Sequence, residues 1–164
     1  MIDTLEKLAK NKILRSEDVV FNKWKNDKLK IVFTNGCFDI LHIGHLSYLL
    51  KAASLGDKLV IGLNSDKSVK RLKGTNRPIN VEESRALMLA ALYFVDAVII
   101  FEEDTPLNVV KHLMPNVLVK GGDYVKENVV GAKEVEDNGG EVVIVKFLEG
   151  HSSTSIINKI NNSI

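Results

Sequence analysis

Two periods of apolar and polar positions alternate along this chain. Continuous apolar runs recur in KIVFTN (30–35), KLVIGLN (58–64), DAVIIF (96–101), NVLVKGGDY (116–124) and EVVIVKF (141–147). Runs of this kind fit strands covered on both faces, as in a parallel sheet. Between them lie stretches of helical spacing. One runs from about Gly44 to Leu55 and stops at Gly56, and another is VEESRALMLAALYF (81–94), for which Asn80 is the expected cap. A third opens with Thr105 as cap and Pro106 at the first helical position. Two more span roughly 131–138 and 154–162. Strand, helix, strand with short connections predicts an α/β fold: a doubly wound parallel sheet of five strands with right-handed crossovers.

Two segments depart from this alternation. Residues 1–28 read as a helical extension preceding a single domain over 29–164. Within it, SEDVVFNKWKND offers Ser16 as an N-cap and Glu17 and Asp18 as first-turn acids. Phe21 and Trp24 read as core or as an oligomer contact. SDKSVKRLKGTNRPIN (65–80) reads as a long polar loop, and long loops in compact domains are more often functional than accidental.

Open doubly wound sheets bind ligands beyond the carboxyl ends of their strands. That rule selects five exits: Asn35-Gly36, Asn64-Ser65-Asp66, Glu102 to Thr105, Gly121-Gly122-Asp123 and Glu149-Gly150. Composition narrows the ligand. With 164 residues, 45% hydrophobic and 26% charged, the chain is an ordinary globular domain, and a net charge of +1 argues against a dedicated nucleic-acid binder. The absence of any long apolar span and the amphipathic start MIDTLEKLAKNK predict a cytoplasmic chain with no membrane contact. A lone Cys37 permits no internal disulfide and suits a reducing compartment. No resolving cysteine or triad spacing accompanies it, so a catalytic thiol is not expected.

The first exit concentrates the chemistry. In FTNGCFDILHIGHLSYLL (33–50), Thr34-Asn35-Gly36 brings a hydroxyl, an amide and a flexible backbone to the start of a helix, where exposed N–H groups favour an anion. His42 and His45, at i and i+3, lie on nearly one side of that helix, and Gly44 between them lets a bulky group approach. From the residues alone three readings of the pair stand: satisfied backbone carbonyls, a zinc site that lacks a third ligand, or two N–H donors to phosphate.

GCFDILHIGH resembles the signature of the cytidylyltransferase-like nucleotidyltransferases, H-x-G-H after a strand, matched by His42, Gly44 and His45. EGHSSTSIINKI resembles that family's second mark, a Ser/Thr-rich turn into a helix, with Glu149, Gly150, Ser152, Ser153 and Thr154. Together with RLKG, FEEDTPLNVV and KGGDY, the chain from about residue 12 to 162 is similar to the adenylyltransferase domains that make ADP-heptose for lipopolysaccharide. Those domains are often fused to a sugar kinase. Its absence here implies a stand-alone form with the kinase encoded separately. One departure is Phe147, where cytidylyl relatives carry an Arg.

The resemblance implies a Rossmann-like fold and the attack of a sugar 1-phosphate oxygen on the α-phosphate of ATP, with pyrophosphate leaving. The attacker is already an anion, so catalysis is positioning and charge neutralisation rather than general base chemistry. The catalytic set it implies is His42, His45, Lys73 and Asp39. The nucleotide would meet Thr34, Asn35, Gly36, Cys37, Phe38, Gly44, Lys120, Gly121, Gly122, Asp123, Ser152, Ser153 and Thr154. Asp66, Arg71 and Arg85 would meet the substrate. Magnesium would arrive on the ATP, with no protein cage of its own. Plainer roles stand beside these: a solvated basic surface for KRLKG, loop orientation for Asp39, turn or helix caps for Asp66 and Asp123. Arg85 equally suits an ion pair with Glu82 or Glu83, and Lys120 a snorkelling side chain. The partners expected are ATP, a heptose 1-phosphate and further copies of the chain. Competing functions are glycerol-3-phosphate cytidylyl transfer, FAD synthesis, a zinc hydrolase, or a nucleotide-binding module without catalysis.

Overall fold

In the computed structural model, which describes residues 2–15, 18–122, 124–148 and 150–162, the apolar runs become strands that all pair in parallel. They are β2 (Ile31–Gly36), β3 (Lys58–Asn64), β4 (Ala97–Phe101), β5 (Val117–Gly121) and β6 (Glu141–Val145). A sixth strand, β1 (Ile13–Leu14), precedes them, so the expected five-stranded sheet is corrected to six in the order β1-β4-β3-β2-β5-β6. Two residues are too short to leave a period in the sequence. They are held because Val98 N donates to Lys12 O at 2.8 Å, and they shield part of the β4 edge.

Helices cover both faces because each strand is apolar on both sides. Val32, Leu59, Ile61, Leu63, Val98 and Val119 pack under α3 (Ile43–Ala53) and α5 (Glu82–Ala90), with Ala9 of α1 (Ile2–Lys10) beside them. Ile31, Phe33, Val60, Ile99 and Leu118 face the other way. There they meet Phe21 of α2 (Val19–Asn26), Val110 and Leu113 of α6 (Leu107–Leu113), and Val135 of α7 (Ala132–Asp137). Trp24 packs against this layer, its ring 5.4 Å from that of Phe21. Ser16 and Glu17, read from the sequence as the start of α2, lie outside the described residues, as do Asp123 and Glu149.

Three local expectations are revised. The first half of the polar stretch after β3 is a helix, α4 (Asp66–Lys73), whose cap is the Ser65 hydroxyl accepting from Ser68 N at 3.2 Å. Only Ser68 and Val69 of α4 are buried, so an amphipathic pattern had little to show. Asn80 does not cap α5: the flanking residue is Val81, without a side-chain bond, and Asn80 Nδ2 instead donates to Asp39 O at 2.6 Å. α6 starts at Leu107 with Pro106 as its flanking residue, one position later than expected. The last helix, α8 (Ser153–Asn161), buries no residue, and a single 3₁₀ turn (Lys126–Asn128) lies between β5 and α7.

Candidate active site

The strand order reverses between β2 and β5, and a cavity of about 430 Å³ opens beyond their carboxyl ends. This is where a doubly wound sheet places its ligand. The structure brings Asn35, Gly36, Cys37, Phe38, Asp39, His45, Lys73, Lys120, Gly121 and Ser153 together on its wall. Thr34, His42, Gly44, Asp66, Arg71, Arg85, Gly122, Ser152 and Thr154 are not among the residues that line it. Thr34 is buried and its hydroxyl shares a hydrogen bond with the Tyr48 hydroxyl, which donates to Val119 O at 3.2 Å.

The histidine motif is built on the start of α3. His42 is its extended N-cap, and His42 Nδ1 accepts from His45 N at 3.4 Å. The two rings stack at 3.9 Å between centroids, 24° apart. His45 faces the cavity, while His42 lines a smaller apolar hollow with Leu41, Ile43, Leu46, Leu49 and Leu92. A Cβ on Gly44 would stand 3.0 Å from the His42 ring and 3.1 Å from His151 Cβ, so the glycine makes room for the protein's own imidazoles. Burial, and then the charge of His42, push His45 down to about pKa 4, against a smaller raising influence of the Ile40 backbone carbonyl. Burial and then His151 lower His42 as well. Nδ1 of His45 is buried with no hydrogen-bond partner among the described residues.

Asp39 and Arg85 turn out to be structural hubs around this wall. Asp39, 1% exposed, accepts from Arg77 Nε at 2.6 Å and from the backbone N–H groups of Ile79 at 2.8 Å and Asn80 at 2.9 Å. Burial raises its pKa, but the Asn80 and Ile79 hydrogen bonds and Arg77 outweigh it, so the carboxylate sits below its ordinary range. Arg85 is fully buried and pairs with neither Glu82 nor Glu83. It donates to the carbonyls of Asn80 (2.9 Å), Cys37 (2.6 Å) and Asn64 (2.9 Å), and to Asp66 at 2.7 Å. Asp66 thereby answers Arg85 from the head of α4, where its backbone N–H donates to Glu82 at 2.6 Å.

On the remaining walls, Lys73 is exposed at the end of α4 and makes no hydrogen bond or ion pair among the described residues. Arg71, on the outer side, holds Asp104 at 2.7 Å and donates to Glu102 O. Lys120, mostly buried and lowered in pKa chiefly by that burial, donates to Asn35 Oδ1 at 3.1 Å and lies 5.4 Å over the Tyr124 ring. Gly121 is approached closely: an added Cβ there would collide with the Phe147 ring. Ser152 caps α8 by accepting from Ser155 N at 3.0 Å, Ser153 donates to Ile40 O at 3.2 Å, and Thr154 is exposed. Sequence reasoning missed Arg77, Tyr48 and His151, and noted Phe147 only as a departure from the cytidylyl relatives. The first was visible only as a basic residue in a polar stretch, and Tyr48 and His151 as unremarked members of a helix and a strand exit.

A parallel sheet with this switch point and a histidine pair at the first helix after it defines the cytidylyltransferase-like proteins. The family's model matches residues 33–159, and the chain belongs to that family. Its relatives include the protein named bifunctional protein HldE. That of Campylobacter fetus subsp. fetus is 61% identical over 130 residues, 79% of this chain and 28% of its own length. That of Helicobacter hepaticus is 54% identical over 160 residues, 97% of this chain and 32% of its own. The chain thus spans about a third of the curated relatives it matches. Among solved structures, a lipopolysaccharide core biosynthesis protein from Thermoplasma volcanium superposes with TM-score 0.61 at 30% identity, over 75% of this chain and 99% of that one. A pantoate-beta-alanine ligase from Francisella tularensis, complexed with ATP analogue and beta-alanine, shares the fold alone: TM-score 0.52 at 17% identity, over 92% of this chain and 78% of that one. No described helix is long and apolar enough to cross a membrane.

Proposed function

We propose that this chain is an adenylyltransferase: it moves AMP from ATP to D-glycero-D-manno-heptose 1-phosphate, giving ADP-heptose and pyrophosphate for lipopolysaccharide core assembly. The identity to HldE proteins and the structural likeness to a lipopolysaccharide core biosynthesis protein support the substrate pair. One observation carries the reaction type. The cavity wall presents cations and neutral N–H donors, while both of its described carboxylates, Asp39 and Asp104, are already held by arginines. Among the described residues, no free carboxylate base stands on that wall. Such a site suits a nucleophile that is already ionised.

In the proposed step the oxygen of the sugar phosphate bonds to the α-phosphorus, and the bond from that phosphorus to the bridging oxygen of pyrophosphate breaks. Neutral His45 donates to the phosphates, His42 fixes its ring by stacking, and Lys73 closes on the charge that develops. Asn35, Lys120 and the Ser152 to Thr154 turn hold the nucleotide, with the turn's hydroxyls and N–H groups at the start of α8 toward the outer phosphates. Magnesium fits as a group carried by the triphosphate, because the described wall carboxylates are engaged by arginines; bound there, it would supply positive charge to the leaving pyrophosphate. The transferase domain on this reading is residues 29–164, working in the cytosol.

Release of pyrophosphate from ATP and heptose 1-phosphate, with CTP as the alternative donor, tests the proposal. Robust turnover with CTP and none with ATP would overturn it. Replacing His45 by Ala should remove about 2 to 4 kcal/mol of transition-state stabilisation, seen as a fall in kcat with the fold intact.

A further inference from the structure

We propose that Arg77 is a phosphate-binding residue of this site and that Asp39 is the residue that positions it; this rests on the transferase reading above. Arg77 lies on the loop between α4 and α5 and lines the same cavity as His45 and Lys73. Only Nε is engaged, by Asp39 Oδ2 at 2.6 Å. The two terminal nitrogens have no partner among the described residues, although the side chain is only 14% exposed. A guanidinium bound along one edge and open along the other is a preformed fork for a tetrahedral oxyanion.

Asp39 explains why the fork stays in place. Both its oxygens are occupied, by Arg77, Ile79 N and Asn80 N, and its own carbonyl accepts from Asn80 Nδ2. The carboxylate therefore fixes the loop backbone and the arginine in one act. An ordinary loop anchor would need only the backbone bonds, which are complete without the arginine. Burying a charged pair whose cation has unused donors facing an open cavity is costly unless an anion arrives to use them. Lys73 alone could supply mobile charge; Arg77 supplies fixed charge in a defined direction.

Calorimetric binding of inorganic tripolyphosphate and of ATP, together with turnover of ATP and heptose 1-phosphate, tests the assignment. In folded Arg77→Gln, affinity for both polyphosphates should fall about 10- to 100-fold, the scale of hydrogen bonds to charged groups. Asp39→Asn should lose less, and adding it to Arg77→Gln should lose nothing more, because the two act as one unit. Unchanged affinity, within twofold, in folded Arg77→Gln overturns the proposal. If that variant does not fold, Arg77→Lys keeps the charge without the fork and should still lose at least about threefold; wild-type affinity there also overturns it. Arg77-dependent tripolyphosphate binding without heptose turnover would sink the transferase reading and leave Arg77 standing. Turnover with no dependence on Arg77 would do the reverse.

Discussion

At the scale of single residues, the protonation of the histidine pair decides how the site meets a polyanion. Burial holds His45 near pKa 4 and lowers His42, so both rings are neutral at physiological pH in the free protein. A neutral imidazole donates an N–H without repelling its stacked neighbour. A triphosphate placed against them raises both pKa values, so binding should take up protons, increasingly as pH falls from 7 toward 6. Titrating ATP in two buffers of different ionisation enthalpy checks this; identical heats would refute it. The same shift acts on stability. As pH drops through 6.5 the unfolded chain accepts a proton that folded His45 refuses until about 4. Stability should therefore decline across that window, more steeply in wild type than in His45→Gln, which melting temperatures would show.

The histidines were legible because their spacing follows a strand exit, a purely local pattern. Asp39, Arg77 and Arg85 were not legible in role, since what defines them is distant in sequence. Asp39 meets Arg77 across 38 positions, and Arg85 meets Cys37 across 48. A helical arginine two and three residues after a pair of glutamates reads as a surface ion pair until its burial is known.

Among elements, those with strong periodicity were read well and those held by single bonds were not. The five long strands and α3 declared themselves through continuous apolar runs or a glycine stop. α4 did not, since a helix that buries two residues is indistinguishable from a polar loop by pattern. α5 shows the opposite fault: its N-terminus has no side-chain cap, and the extended, half-exposed Val81 occupies the position a Ser would fill. Val81→Ser should stabilise the protein by about 0.5 to 1 kcal/mol, measurable as a higher urea midpoint at unchanged slope. A destabilised variant would mean that the Val81 side chain packs more than its exposure suggests.

Over the whole molecule, the sheet order gathers the candidate site residues at one crevice, while the chain's first residues serve the far edge. β1 pairs with Val98 and Ile99 of β4. Removing residues 1–15 would uncover an apolar edge strand and withdraw Ala9 from the core. The truncated protein should be less stable by about 1 to 3 kcal/mol and should associate at rising concentration, as read by light scattering. A monomeric, equally stable product would show that β1 is dispensable.

Arg85 ties the exits of β2 and β3, the head of α4 and the turn before α5 through one guanidinium. These segments cannot be exchanged one at a time. An engineer wishing to graft another family member's acceptor preference onto this scaffold would have to transplant them as a block, since a single foreign loop with a displaced carbonyl would strand a buried cation.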